Sequence, residues 1–195
     1  MKKAERTRQL IIEQAAIIFN EKGIAGTTID DILVATQVAK GCLYGHFETK
    51  EQLAYASIDF LLDKLCNKAG SFLKSDKTSV KKLIAFIDLY KNPLNPFIHG
   101  GCPLLNFGVE SDDTNEFVRE KIKKVIDQTQ LLLTGIIKTG IKIGELSDDM
   151  NARTFPIKMI ALLEGGTMMA KTLKDNKPMQ DIHHMLKQEI NNYVL

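Results

Sequence analysis

The 195-residue chain predicts an all-α protein: an N-terminal helix-turn-helix domain of three helices, placed at residues 1–50, followed by a larger helical domain over 51–195. Apolar residues recur three and four positions apart along almost its whole length, and no segment sustains the apolar/polar alternation of a half-buried strand. Near the start, two short helical stretches flank a tight turn and are braced by a longer one, the outline of a helix-turn-helix.

The first helix is expected over Glu5–Lys22, burying Ile11, Ala15, Ile18 and Phe19, with Gly23 as its stop. Lys2, Lys3, Arg6 and Arg8 against Glu5 read as a short basic arm. A second helix begins after Thr28, whose hydroxyl caps it, and ends near Thr36; Asp30 and Asp31 complement the positive end of its dipole. The third spans about Lys40 to Phe47. Thr49 and Gln52 form a capping box for a long fourth helix reaching about Lys74. Later helices are expected near Ser79–Tyr90, Pro103–Glu110, Thr114–Ile143, Asn151–Lys174 and Met179–Val194. The break "KNPLNPFIHGGCP" holds three of the five prolines, and Pro103 suits a first helical position after Gly101-Cys102. In "ESDDTNE", Asp113 and Glu116 offer a helix-start box, and capping accounts for these carboxylates better than a metal does.

Composition narrows the class without choosing a function. A hydrophobic content of 44% is ordinary for a globular protein, and a net charge of +2 creates no broad positive field. The apolar stretch "MIALLEGGTMMA" is short and interrupted by Glu164, so no membrane span is expected. The N-terminus lacks the apolar core of a signal peptide. Cys42, Cys66 and Cys102 are odd in number and without CxxC spacing, which argues against a disulfide framework or thiolate zinc site. A cytoplasmic protein is expected, without cofactor or metal.

The most informative stretch is "VAKGCLYGHFETKEQL", Val38 to Leu53. Leu43 and Phe47 share one face, which should pack on Ile29, Ile32 and the first helix. Gly41 and Gly45 share another, and Cys42 and His46 a third. Each interior glycine costs about 1 kcal/mol relative to alanine in a helix already too short to be stable alone. A face without side chains lets the helix lie close to another surface, and a DNA major groove fits that requirement. Tyr44 and His46 can donate to phosphates or base edges, while Lys40 and Lys50 can neutralise phosphates.

The segment Thr7 to Leu53 resembles the DNA-binding domain of the TetR family of bacterial transcriptional repressors. The resemblance is carried by Ile11-Ile12, Ala15-Ala16, Phe19, Gly23, Thr28, Ile29, Ile32, Val38, Lys40-Gly41, Leu43-Tyr44, His46-Phe47, Lys50 and Leu53. It implies an all-helical homodimer, with Lys40, Gly41, Tyr44, His46 and Lys50 on double-stranded operator DNA and Thr28 on a phosphate. Cys42 is counted with this DNA-facing set. Two places depart from the family pattern. Gln37 occupies a turn position where glycine is usual, and Ala39 and Cys42 replace common hydroxyl residues.

The resemblance further implies that residues 51–195 sense a ligand and dimerise through the last two long helices. Gly165-Gly166 permits close helix approach, and Ile182, Met185, Leu186, Ile190 and Val194 make a stripe suited to that interface; an intramolecular core is the alternative. Phe60, Phe86, Tyr90, Phe97, Cys102, Asn106, Phe107 and Met168 are the candidate walls of an effector pocket. The expected function is a repressor released from its operator by a small apolar or aromatic effector. The alternative makes Cys102, at a helix start, a sensor of oxidants or electrophiles. A small-molecule enzyme is a remote reading: His99-Gly100-Gly101 has no GxSxG companion, no Walker loop or GxGxxG is present, and the adjacent His183 and His184 point about 100° apart on a helix.

Overall fold

The computed structural model describes residues 3–73 and 78–195. Within them lie α1 (Lys3–Gly26), α2 (Ile29–Thr36), α3 (Lys40–His46), α4 (Lys50–Leu73), α5 (Ser79–Asp88), α6 (Pro103–Ser111), α7 (Glu116–Lys142), α8 (Thr154–Leu173) and α9 (Lys177–Asn192). The isolated antiparallel bridge Leu146–Val194 is the extended pairing found among the described residues. No helix among them is long and apolar enough to cross a membrane. The expected end of the fourth helix at Lys74, and Lys2 of the basic arm, lie outside the described residues. The chain resolves into two compact units: Met1–Leu65 with Phe97–Ile122, and Cys66–Pro96 with Lys123–Leu195.

In the first unit, α1 starts at Lys3, so Lys3, Arg6 and Arg8 belong to helical turns rather than to an arm. Ile11, Ile12, Ala15, Ala16 and Phe19 are buried on one side of it, whereas Ile18, expected in that core, is only half-buried. Also buried in this unit are Ile32 of α2, Leu43 of α3, Phe47 at the end of α3, and Leu53, Ala54 and Ile58 of α4. The expected stop is real: Gly23 takes φ 77° and ψ 171°, breaking the helix before a last turn to Gly26. The amides exposed by that break are taken up by Glu110 of α6, whose carboxylate accepts from Ile24 and Ala25, each at 2.9 Å.

A second set of bonds joins α1 to the turn before α6. Asn20 is buried, and its Nδ2 donates to the carbonyls of His99 (2.7 Å) and Gly101 (3.0 Å). Asn106 Nδ2 in turn donates to the Asn20 carbonyl (2.9 Å), the Asn20 Oδ1 (3.1 Å) and the Gly100 carbonyl (3.2 Å). Gly100 has φ 89°, and a β-carbon there would stand 2.9 Å from Asn20 Nδ2. The glycine is therefore required both by its backbone conformation and by the closeness of α1. Pro103 opens α6, as its ring geometry favours. The expected Asp113–Glu116 box does not start α7; Asn115 does, its Oδ1 accepting from Val118 N at 3.1 Å, because it stands at the true helix boundary.

In the second unit, α8 and α9 pack together and α5 packs on α9. Leu83, Phe86 and Ile87 of α5, Leu133, Ile136 and Ile137 of α7, Met159 and Leu163 of α8, and Met179, Ile182, Leu186 and Ile190 of α9 form one buried cluster. Ile182, Leu186 and Ile190 thus serve the chain's own core rather than an outward stripe, while Met185 and Val194 of that stripe remain exposed. Gly166 explains the close approach: a β-carbon there would lie 2.7 Å from Ile182 Cδ1 and 2.9 Å from Met179 Cε. The start of α5 is held from outside, since Glu145 accepts from Ser79 N (2.7 Å) and Val80 N (3.0 Å). Burial acts to raise the Glu145 carboxyl, but the bonds from Val80, Thr78 and Ser79 outweigh it and hold the pKa below the ordinary carboxylate value.

Candidate nucleic-acid interface

The candidate interface is built by α2, the turn after it and α3. Thr28 caps α2: its Oγ1 accepts from Asp31 N at 3.1 Å, and its own N–H donates to Asp31 Oδ2 at 3.0 Å. The box therefore closes with aspartate at the third position. A bond from the Lys22 ammonium at 2.7 Å, then the Thr28 N–H and hydroxyl, hold Asp31 down to about 2. At the other end Gln37 adopts the left-handed conformation (φ 56°, ψ 25°) and donates its N–H to Leu33 O at 2.9 Å. A glutamine thus takes a conformation that glycine adopts without strain, against a penalty of about 1 kcal/mol or more.

Ala39 starts α3 without a side-chain cap, and Lys40 is its first helical residue. Leu43 and Phe47 are buried, and the Arg8 guanidinium lies 4.9 Å from the Phe47 ring centroid, a packing role that counting charge had missed. With that side anchored, Lys40, Gly41, Cys42, Tyr44 and Gly45 are exposed and His46 is half-buried. A β-carbon on Gly41 or Gly45 would meet nothing within 4 Å among the described residues, so neither glycine is needed for packing inside this chain. Tyr44 is 43% exposed, leaving its ring on the open side of the helix.

Lys50 is placed differently from Lys40. Its Nζ donates to the carbonyls of Ile24 (2.8 Å) and Thr27 (3.0 Å), tying the α1–α2 connection to the start of α4. Thr49 Oγ1 accepts from Gln52 N at 3.2 Å, while the Gln52 side chain accepts from Glu48 N at 3.0 Å instead of completing the expected box with Thr49. The structure therefore gathers Lys40, Gly41, Cys42 and Tyr44 on one exposed stretch and sets Thr28 and Lys50 at its supporting turns.

The candidate effector residues fall in both units. In the first, Phe60 is half-buried, Phe107 is fully buried, and Phe97 is half-exposed with the Lys64 ammonium 5.2 Å from its ring centroid. Cys102 is half-buried at the start of α6, and Asn106 is committed to Asn20 and Gly100. In the second, Phe86 is buried and pairs with Tyr90 at 5.8 Å, Tyr90 donates to Glu164, and Met168 is 51% exposed. Asn20, Glu110 and Glu164 escaped the sequence reading because each gains its role from a residue more than seventy positions away.

Comparison with known proteins agrees with this architecture. Residues 11–56 match the family described as bacterial regulatory proteins, tetR family, and residues 79–186 match the tetracyclin repressor-like C-terminal domain. A TetR transcriptional regulator from Chloroflexus aurantiacus has a solved structure similar at TM-score 0.94 and 38% identity, over 100% of this chain and 98% of that one. A TetR-family regulator from Cytophaga hutchinsonii is similar at TM-score 0.91 and 33% identity, with the same coverage of 100% and 98%. The HTH-type transcriptional repressor DhaR of Mycobacterium sp. strain GP1 is 24% identical over 172 residues, covering 88% of this chain and 86% of that protein. With an exposed third helix on a helix-turn-helix and both family domains matched in order, the chain belongs to the TetR family of bacterial transcriptional regulators, DNA-binding proteins rather than enzymes.

Proposed function

We propose that the protein is a homodimeric repressor, released from operator DNA by a small apolar or aromatic effector. The observation that carries the reading is the exposed side of α3, where Gly41 and Gly45 leave open space beside Lys40 and Tyr44. There a phosphate or base edge approaches the helix backbone, Tyr44 and His46 donate to it, and Lys40 supplies charge. Lys50 uses two of its ammonium hydrogens on Ile24 and Thr27, and the third is available for a phosphate. Thr28 contributes beside the α2 N-terminus, where backbone N–H groups favour an anion.

The dimer forms through α8 and α9, whose exposed Ile157, Met168, Leu173 and Met185 supply apolar surface for a second copy. Two recognition helices then enter successive major grooves on one face of the DNA. Effector binding in the C-terminal region favours a state in which α4 is tilted and the two helices no longer match the groove spacing. The ligand's differential affinity for the two states supplies the free energy. DhaR is itself named a repressor, which supports that direction of control. In the alternative reading Cys102 is the sensor; a Cys102→Ser variant that still releases DNA on exposure to peroxide or an electrophile removes it.

The first test is a gel shift at several salt concentrations with DNA flanking the protein's own gene. Wild type is expected to bind with a steep salt dependence, and Tyr44→Ala to weaken binding at least tenfold while melting at the wild-type temperature. An unaltered affinity in the folded variant removes Tyr44 from the DNA contacts, and a variant that fails to fold assigns Tyr44 a structural role instead.

A further inference from the structure

The cations around the helix-turn-helix divide into two groups. Lys22 is bonded to Asp31 at 2.7 Å, and Lys50 to the carbonyls of Ile24 and Thr27. Arg8 and Lys40 are exposed, and among the described residues neither charged head meets a carboxylate or carbonyl oxygen. Arg8 is nevertheless held in place. It reaches from α1 to Phe47, the residue that closes α3, with its guanidinium 4.9 Å from the ring centroid. Phe47 is itself buried, so the ring that carries the cation is fixed in the core. Attraction to an aromatic ring positions a guanidinium without committing its N–H donors to an oxygen. An uncharged stem such as that of methionine would cover Phe47 as well, so packing alone does not call for the charge.

We infer that Arg8 is a phosphate clamp, whose guanidinium, positioned by Phe47, binds the DNA backbone at the end of α3 opposite Lys40. The inference rests on the reading of α3 as the DNA-facing helix and adds a contact made from α1. The seven residues of α3 span roughly 10 Å at about 1.5 Å per residue. Lys40 is the first of them, and Phe47, with Arg8 against it, follows the last. A B-DNA major groove is about 12 Å wide and is walled by phosphates on both sides. A cation at each end of a helix seated there serves one wall each. The planar fork of arginine matches two oxygens of a single phosphate. Because every nucleotide carries the same phosphate, this contact contributes affinity and register but no sequence preference.

Fluorescence anisotropy over a salt series tests this on the full-length protein, with the DNA flanking its gene and with a duplex of unrelated sequence. Arg8→Met is expected to melt at the wild-type temperature and to weaken binding about tenfold on both duplexes. Its salt slope should be shallower by about 0.9 for each recognition helix engaged. Arg8→Lys should keep the slope while losing part of the affinity, since charge remains and the fork does not. Arg153→Gln, an equal loss of charge just before α8, should change neither quantity. If Arg8→Met melts early, Arg8→Gln takes its place, and early melting of both makes Arg8 structural and overturns the inference. Unchanged affinity and slope in a folded Arg8 variant, an equal loss in Arg153→Gln, or a loss confined to one duplex also overturns the clamp, leaving the repressor reading standing. Wild type that binds neither duplex at low salt overturns both.

Discussion

Gly45 separates stability from function at a single atom. It lies inside α3 with open space where a β-carbon would go, and its backbone angles are ordinary helical ones. Gly45→Ala is therefore expected to stabilise the fold by about 0.5–1 kcal/mol while weakening operator binding, because the new methyl occupies the open space in which the proposed DNA contact lies. Chemical denaturation and a gel shift on the same sample check both halves; a stabler variant with unchanged affinity would show that the groove does not approach this face. Gln37 makes the complementary point. Its left-handed backbone follows from where the turn must go, and the sequence alone showed the departure from glycine, whereas its N–H bond to Leu33 required coordinates. Lys50 shows the limit of reading charge: a lysine at a helix start suggested phosphate, yet the fold brings two carbonyls to its ammonium.

Several helix starts and stops with a local capping group were readable, although the Asn115 cap of α7 was not. Thr28 before α2, Pro103 at the start of α6 and Gly23 within α1 act through their own or adjacent turns. Caps supplied from a distance were not readable. Glu110 reaches the broken end of α1, and Glu145 reaches the start of α5, from 85 and 66 positions away respectively. Glu145→Ala should lower stability by about 1–2 kcal/mol, since Ser79 and Val80 lose a charged acceptor at a helix N-terminus. Urea denaturation measures this, and Glu145→Gln should recover part of the loss. An unchanged midpoint in the Ala variant would mean that water replaces the carboxylate without penalty. Asn106 was expected to face an effector; its amide instead holds α6 to Asn20 and Gly100, an arrangement that hydrophobic periodicity cannot reveal.

The stability of the molecule as a whole should vary with pH through His183. Its imidazole lies 2.9 Å from Asp88 Oδ1, with Lys187 bonded to the same oxygen. Burial and the Lys187 charge push the His183 pKa below its ordinary value, outweighing the pull of Asp88, and Lys91 acts in the same downward direction. The unfolded chain then binds a proton more readily than the folded one. His183 contributes stability above pH 6.5, the ordinary histidine value, which is lost as pH falls through the depressed folded value. Thermal melts from pH 7.5 to about 5 should fall with acidity, and His183→Gln should flatten that fall in this window. A variant with the wild-type slope would place the titration elsewhere. Acid loss at still lower pH belongs to Asp31, whose folded value near 2 lies below its ordinary 3.8, and to Glu145, which is also held below its ordinary value.

Helical class, the order of the helices, and the helix-turn-helix with the exposed, glycine-bearing side of α3 were determined by the sequence itself. These depend on short-range periodicity, capping and the absence of side chains at Gly41 and Gly45, all contained within a few turns of chain. Tertiary structure decided which polar groups brace those turns and which apolar stripe is inward. It turned Ile182, Leu186 and Ile190 toward the chain's own core, set Lys50 on carbonyls and joined Asn20 to Asn106. The physical reason is common to all of them. A hydrogen bond or buried contact between residues distant in sequence is specified by the packing of whole helices, and local spacing carries no record of which helix will arrive opposite.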